Sequence, residues 1–129
     1  TYLVGHSMGC QAIQRYLESL PEGVLLGGAV LVAGWINDPM WEGRTDEELK
    51  VVEDWFDVPK DYDKIKSHCK QFVSIFSTND PFILKSNWDE ARDLVGAEVV
   101  ILENRSHFDD DAGIKELPEA LDAILLLSK

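Results

Sequence analysis

Tyr2-Leu3-Val4-Gly5-His6-Ser7-Met8-Gly9-Cys10 is the stretch that decides the fold. It opens as a short apolar run ending in a β-branched residue, the composition of a buried strand, and from Met8 onward the spacing is helical. The two meet in Gly5-His6-Ser7-Met8-Gly9, a G-x-S-x-G motif. Its physical logic is a sharp strand-to-helix turn with a strained backbone at the serine. Residues two before and two after the serine must be small for strand and helix to approach, and Gly5 and Gly9 fit that requirement. Ser7 then stands at a helix amino terminus, where the Met8 backbone N–H can donate to a developing oxyanion and the helix dipole favours negative charge. A tight turn without chemistry could carry the same letters; the strand before and the helix after favour the catalytic reading.

Outward from this turn, short β-branched apolar runs alternate with helical patterns, the signature of an α/β fold with parallel strands. Four strands are expected, at Tyr2 to Val4, Gly28 to Ala33, Phe72 to Phe76 and Val99 to Leu102. Met8 to Leu20 reads as a helix with Ala12, Ile13, Tyr16, Leu17 and Leu20 on one face, ended by Pro21 and Gly23. Thr45-Asp46-Glu47-Glu48 has the form of a capping box, after which Leu49, Val52, Trp55 and Phe56 recur with helical period, and a second short helix follows Pro59. Trp88 to Val95 reads as a helix stopped at Gly96, and Leu117 to Leu127 is apolar enough to dock on the sheet. The stretch from Trp35 to Asp63 is the least sheet-like and reads as a helical insertion over the carboxyl edge of the sheet, where ligands bind.

The 129 residues suit one domain or part of one, with 45% hydrophobic and 28% charged residues as in ordinary globular chains. Thr1-Tyr2-Leu3-Val4 resembles the end of a buried strand with no Met or polar tail before it, so residue 1 is expected to be a truncation point. Twelve Lys and Arg against 24 Asp and Glu give a net charge of −12, which repels phosphate backbones and anionic headgroups. Neither nucleic acid nor a membrane surface is an expected partner. Cys10 and Cys69 form no metal-ligand spacing and no disulfide framework, and no apolar run approaches the roughly 18 residues that span a bilayer. A cytoplasmic location is the simplest expectation.

A serine needs a base within hydrogen-bond reach, and there are three histidines. His6 is inside the turn and is expected to point away from Ser7; His68 precedes the third strand, at the wrong edge of a parallel sheet. His107 follows the fourth strand, at the same carboxyl edge as Ser7. The orienting acid comes after the serine and before the histidine in chain order, which favours Asp80, just past the third strand and fixed by Pro81. Asp38 also follows a strand and competes for this role. Asp109, Asp110 and Asp111 come after the histidine and read more simply as a solvated or helix-capping run. Trp35, at the carboxyl edge, either lines a substrate pocket or packs the insertion. Trp41, Trp55 and Phe56 read as contacts within the insertion, and Cys10 as a small buried residue.

Several stretches together resemble the retinoblastoma-binding-protein-9-like and YdeN-like serine hydrolases of the α/β-hydrolase superfamily. They are Val4-Gly5-His6-Ser7-Met8-Gly9, Ala29-Val30-Leu31-Val32, Ile65-Lys66 with Cys69, Ser77-Thr78-Asn79-Asp80-Pro81-Phe82, and Ser106-His107-Phe108 with Gly113 and Glu116-Leu117-Pro118. The Asp-Pro-Phe and His-Phe elements are more specific than the serine turn. The resemblance implies an α/β-hydrolase fold seen in part, as its last four parallel strands with flanking helices. It also implies nucleophile Ser7, acid Asp80 and base His107, with a second oxyanion donor from an amino-terminal half that such proteins carry. The first strand would then present an open edge. The expected activity is cleavage of an ester, thioester or activated amide through an acyl-enzyme, with a small-molecule acyl substrate and no metal or organic cofactor. Acyl transfer to an acceptor other than water, and a non-catalytic module whose acidic surface binds a protein, are the alternatives.

Overall fold

Gly28–Val32 and Phe72–Ser77 carry no polar alternation beyond a serine or two, and both are buried along their whole length, as central strands covered on two faces must be. The computed structural model describes all 129 residues, Thr1–Lys129. These two strands are β2 and β3, flanked by β1 (Tyr2–His6) and β4 (Glu98–Leu102) in one parallel sheet of order β1-β2-β3-β4. The four strands expected from the sequence are present with ends shifted by one or two residues. β1 is an edge strand, and Val4 on it is 57% exposed.

The helices are α1 (Met8–Ser19), α2 (Asp46–Glu53), α3 (Tyr62–Ser67), α4 (Ser86–Glu90) and α5 (Pro118–Leu127). Gly5 on β1 meets α1, whereas the Tyr2 hydroxyl reaches the Leu127 carbonyl of α5 at 3.4 Å. Side chains alternate across a strand, so residues 2 and 5 mark opposite faces: α1 covers one and α5 the other. The core joins Leu17 and Ile13 of α1 to Val30, Leu31, Ile75 and Phe76 of the sheet and to Ile65 of α3.

Two expected helices differ in detail. On α1, Ala12 and Tyr16 are exposed while Gln11 and Gln14 are fully buried, so the docked face is Cys10, Gln11, Ile13, Gln14 and Leu17. The cause is the turn after β2, whose carbonyls take donors from the two glutamines. The helix after β3 starts at Ser86 because Asn87 is drawn inward to accept the Ile36 N–H at 3.0 Å. It then widens into a π-helical turn (Ala91–Val95) and stops at Gly96, whose φ of 73° is left-handed. The capping box of α2 forms as its letters dictate: Thr45 Oγ1 accepts from Glu48 N–H at 3.2 Å and Glu48 Oε2 from Thr45 N–H at 2.9 Å. α5 docks through Ala123 and Leu127, leaving Leu121, Leu125 and Leu126 exposed. No helix is long and apolar enough to cross a membrane.

The ladder fixes where the chain leaves the sheet. Ser7 N–H donates to Val32 O, Ala33 N–H to Ile75 O and Thr78 N–H to Leu102 O, each at 2.9 Å. The segments after β1, β2 and β3 therefore emerge side by side at the carboxyl edge, where parallel sheets place their sites.

Candidate active site

Ser7 is held at φ 57° and ψ −121°, a conformation that costs an L-residue of order 1–3 kcal/mol and persists only where its surroundings impose it. The surroundings are the Ser7 N–H bond to Val32 and the start of α1, where Cys10 N–H returns to Ser7 O at 3.0 Å. A Cβ on Gly5 would lie 2.8 Å from the carbonyl carbon and oxygen of Gly9, so this glycine lets strand and helix touch. The matching expectation for Gly9 fails: a Cβ there meets nothing within 4 Å, because the crowding is against the Gly9 backbone and not its side-chain position. Met8 N–H, in the first turn of α1, donates to no group of the chain and is available to an acceptor beside Ser7.

The structure brings Ser7, His107 and Asp80 together. His107 Nε2 is 2.9 Å from Ser7 Oγ, and His107 Nδ1 is 2.9 Å from Asp80 Oδ2. A carboxylate only accepts, so Nδ1 carries the hydrogen and Nε2 is left to accept the serine O–H. The other carboxylate oxygen, Oδ1, accepts the N–H groups of Phe82 at 2.9 Å and Ile83 at 3.2 Å, so Asp80 is locked in a turn set by Asp-Pro-Phe. Its side chain is 1% exposed. His107 rides on the loop after β4, which is pinned to the end of β3. Arg105 N–H donates to Ser77 Oγ at 2.9 Å and Ser106 N–H to Asn79 Oδ1 at 2.7 Å.

The competing residues lie elsewhere. Asp109 caps a 3-10 turn by accepting Ala112 N–H at 3.0 Å, and Asp110 and Asp111 lie in that turn. Asp38 is exposed and faces Glu90, whose carboxyl is raised first by burial and then by Asp38. His68 is buried among the amino ends of the strands, its Nδ1 2.7 Å from Val24 O. Cys10 is fully buried with its thiol pushed up to about 12 by burial, a structural residue rather than a nucleophile.

A cavity of about 360 Å³ opens beside Ser7 and His107, walled by Trp35, Trp41, Phe82, Val51 and Val52, with Glu48 at its margin. Trp35 both lines this cavity and packs the insertion. Its ring stacks on Trp41 at 5.3 Å, meets Phe56 edge-on at 6.5 Å, and donates Nε1–H to Phe82 O at 3.0 Å. Trp41, expected to serve only the insertion, is a wall of the cavity, because the chain after Trp35 folds back over the carboxyl edge. Trp55 is 37% exposed and lines no part of it.

His6 does more than its sequence position announced. It points away from Ser7, as expected, but its Nε2 is 2.7 Å from the His107 carbonyl and its ring is 5.1 Å from the His107 ring. No spacing signal could have found a contact across 101 positions. No group of three or more His, Cys, Asp or Glu side chains is gathered as metal ligands.

A parallel sheet with a strained serine at the end of one strand, and an aspartate and a histidine on the loops after two others, defines the α/β-hydrolase fold. The chain belongs to the serine hydrolase family, whose signature matches residues 1–125. Among its relatives, the YdeN protein of Bacillus subtilis (strain 168) is 30% identical over 124 residues, which cover 96% of this chain and 62% of that protein. Serine hydrolase RBBP9 of Rattus norvegicus is 29% identical over 108 residues, covering 84% of this chain and 53% of that protein. The crystal structure of the B. subtilis ydeN gene product superposes with a TM-score of 0.86 at 30% identity, covering all of this chain and 66% of that one. The chain thus spans between half and two thirds of the length of the relatives it matches.

Proposed function

We propose that the protein hydrolyses a carboxylic ester, thioester or activated amide through an acyl-enzyme on Ser7. What supports this reading is the continuous Ser7–His107–Asp80 relay, with both links at 2.9 Å. In the first step His107 Nε2 takes the Ser7 proton as Oγ adds to the acyl carbon, and Asp80 holds the resulting imidazolium in place. The oxyanion lies against Met8 N–H and the positive end of α1. His107 then gives its proton to the leaving group, and water, deprotonated by the same imidazole, releases the acid and restores Ser7. The Trp35, Trp41 and Phe82 walls suit an apolar portion of the substrate. Family membership is consistent with this chemistry.

The test is covalent labelling with a fluorophosphonate probe, run on the 129-residue chain and on the protein extended to the length of its relatives. Circular dichroism verifies that each sample is folded. Labelling that disappears in Ser7→Ala is the expected result. A folded, extended protein that takes up no probe, or a Ser7→Ala protein that labels as well as its parent, would overturn the proposal.

A further inference from the structure

We propose that His6 is a positioning residue whose Nε2–H, donated to the His107 carbonyl, holds the His107 imidazole on Ser7. The inference rests on the proposed role of Ser7 and His107 and adds to it a member that touches neither substrate nor reacting atoms.

The loop that carries His107 is built from backbone that L-residues seldom adopt: φ is 57° at Asn104, 49° at Ser106 and 55° at Phe108. Such a loop keeps its shape only where bonds over-determine it. On the β3 side they are plentiful, from Asn104 N–H to Thr78 Oγ1 at 3.1 Å, Arg105 N–H to Ser77 Oγ and Ser106 N–H to Asn79 Oδ1, and they stop one residue short of His107. The peptide joining His107 to Phe108 ends on one of these left-handed residues, and Ser106, just before His107, is another. The N–H of this peptide returns to Arg105 O at 3.0 Å within the loop itself. Its carbonyl has one partner, His6 Nε2 at 2.7 Å. A carbonyl only accepts, so His6 Nε2 carries the hydrogen.

This bond is the only one from β1 to the backbone of the histidine loop. It matters because Ser7 directly follows β1. The nucleophile and the carrier of its base are tied through adjacent residues at the end of one strand, so a shift of the elbow drags the His107 peptide with it. The ring contacts agree: the His107 imidazole is flanked by His6 at 5.1 Å and by the edge of Phe82 at 5.0 Å, which leaves it little room to swing off the line between Asp80 and Ser7. His6 does not line the cavity beside Ser7, so its effect on substrate affinity is expected to be small.

The experiment compares His6→Phe, which keeps a ring and loses the donor, with His6→Gln, whose amide nitrogen can occupy the place of Nε2. The side chain is exposed, so neither change burdens the core. Loss of one hydrogen bond that acts only through geometry should lower kcat for a p-nitrophenyl ester, and the rate of fluorophosphonate labelling, by about three- to ten-fold in His6→Phe. KM should stay within about twofold, and His6→Gln should recover most of the rate. A second readout is independent of turnover: the downfield proton resonance of His107 Nδ1–H on Asp80 should broaden or move upfield in His6→Phe and persist in His6→Gln. Unchanged kcat and labelling in His6→Phe, or a loss that His6→Gln does not restore, would sink the inference. If the resonance responds as stated while Ser7 proves unreactive, the positioning of His107 stands and the acyl-enzyme reading falls. If Ser7 labels and the resonance ignores His6, positioning falls alone.

Discussion

Gly5→Ala and Gly9→Ala insert the same methyl group four residues apart in one motif, and their effects should have opposite sign. A Cβ on Gly5 would sit 2.8 Å from Gly9 C, Gly9 O and Ile13 Cδ1. Carbon atoms pack best at about 3.5–4.0 Å, so each contact is too close by roughly 1 Å. Ile13 Cδ1 can rotate aside; the Gly9 carbonyl belongs to the first turn of α1 and yields only if the helix moves. Overpacking of this kind costs about 1–3 kcal/mol. A helix displaced by about 1 Å also moves Met8 N–H off the proposed oxyanion position, and misplacement of that size costs on the order of 100-fold in rate. A Cβ on Gly9 meets nothing within 4 Å, and alanine is the better helix former by about 0.5–1 kcal/mol. Gly9→Ala should therefore leave stability unchanged or raise it. Urea unfolding followed by circular dichroism, with m held constant, measures both. A Gly5→Ala protein within about 0.5 kcal/mol of its parent, or a Gly9→Ala protein that loses as much as Gly5→Ala, would refute this account of the turn.

Two further predictions concern strain and burial. Ser7 at φ 57° pays for a conformation that glycine adopts freely, so Ser7→Gly should be more stable than Ser7→Ala by about 1 kcal/mol, read as a higher unfolding midpoint. Cys10 and Lys60 should tilt stability in opposite directions at high pH. Burial lifts the Cys10 thiol from 9.0 to about 12, so between those values the unfolded chain releases a proton that the folded one keeps, and stability falls as pH rises. Burial, reinforced by the Arg15 charge, lowers the Lys60 ammonium from 10.5 to about 8; there the folded chain releases the proton first, and the Lys60 contribution rises across that window. Urea midpoints from about pH 8 to 11 should show a steeper rise or shallower fall in Cys10→Ala and the reverse in Lys60→Met; equal slopes in all three proteins would contradict both assignments.

Strands and serine turn were legible because each is a local pattern: apolar runs of three to six residues, a change of period at Ser7, a capping box at Thr45. The places of Asp80 and His107 were legible through topology, since loops after parallel strands must share an edge. What local pattern cannot carry is the destination of a polar side chain. Gln11 and Gln14 have the letters of a solvated helix face, and the expected apolar stripe put Ala12 and Tyr16 in their place. The same blindness hid the His6 contact with the His107 backbone and left Trp41 assigned to the insertion alone.

Four of the buried polar residues, Gln11, Gln14, Lys60 and Asn87, share one destination, the backbone of Trp35 and Ile36. Trp35 O accepts the amides of Gln11 and Gln14, and Ile36 O accepts Lys60 Nζ at 2.8 Å and Tyr62 Oη–H at 3.2 Å. Ile36 N–H donates to Asn87 Oδ1. A buried backbone group left without a partner costs about 1–3 kcal/mol, which is reason enough for α1 and α3 to send donors inward and for α4 to send an acceptor. The consequence reaches the site, because the residue so fixed is Trp35, whose ring is a wall of the cavity beside Ser7 and whose Nε1–H holds the Phe82 carbonyl. Phe82 in turn follows Asp80 and lies against His107. These inward-sent polar groups thus form the support that sets the cavity wall and, through Phe82, the surroundings of the Asp80–His107 pair.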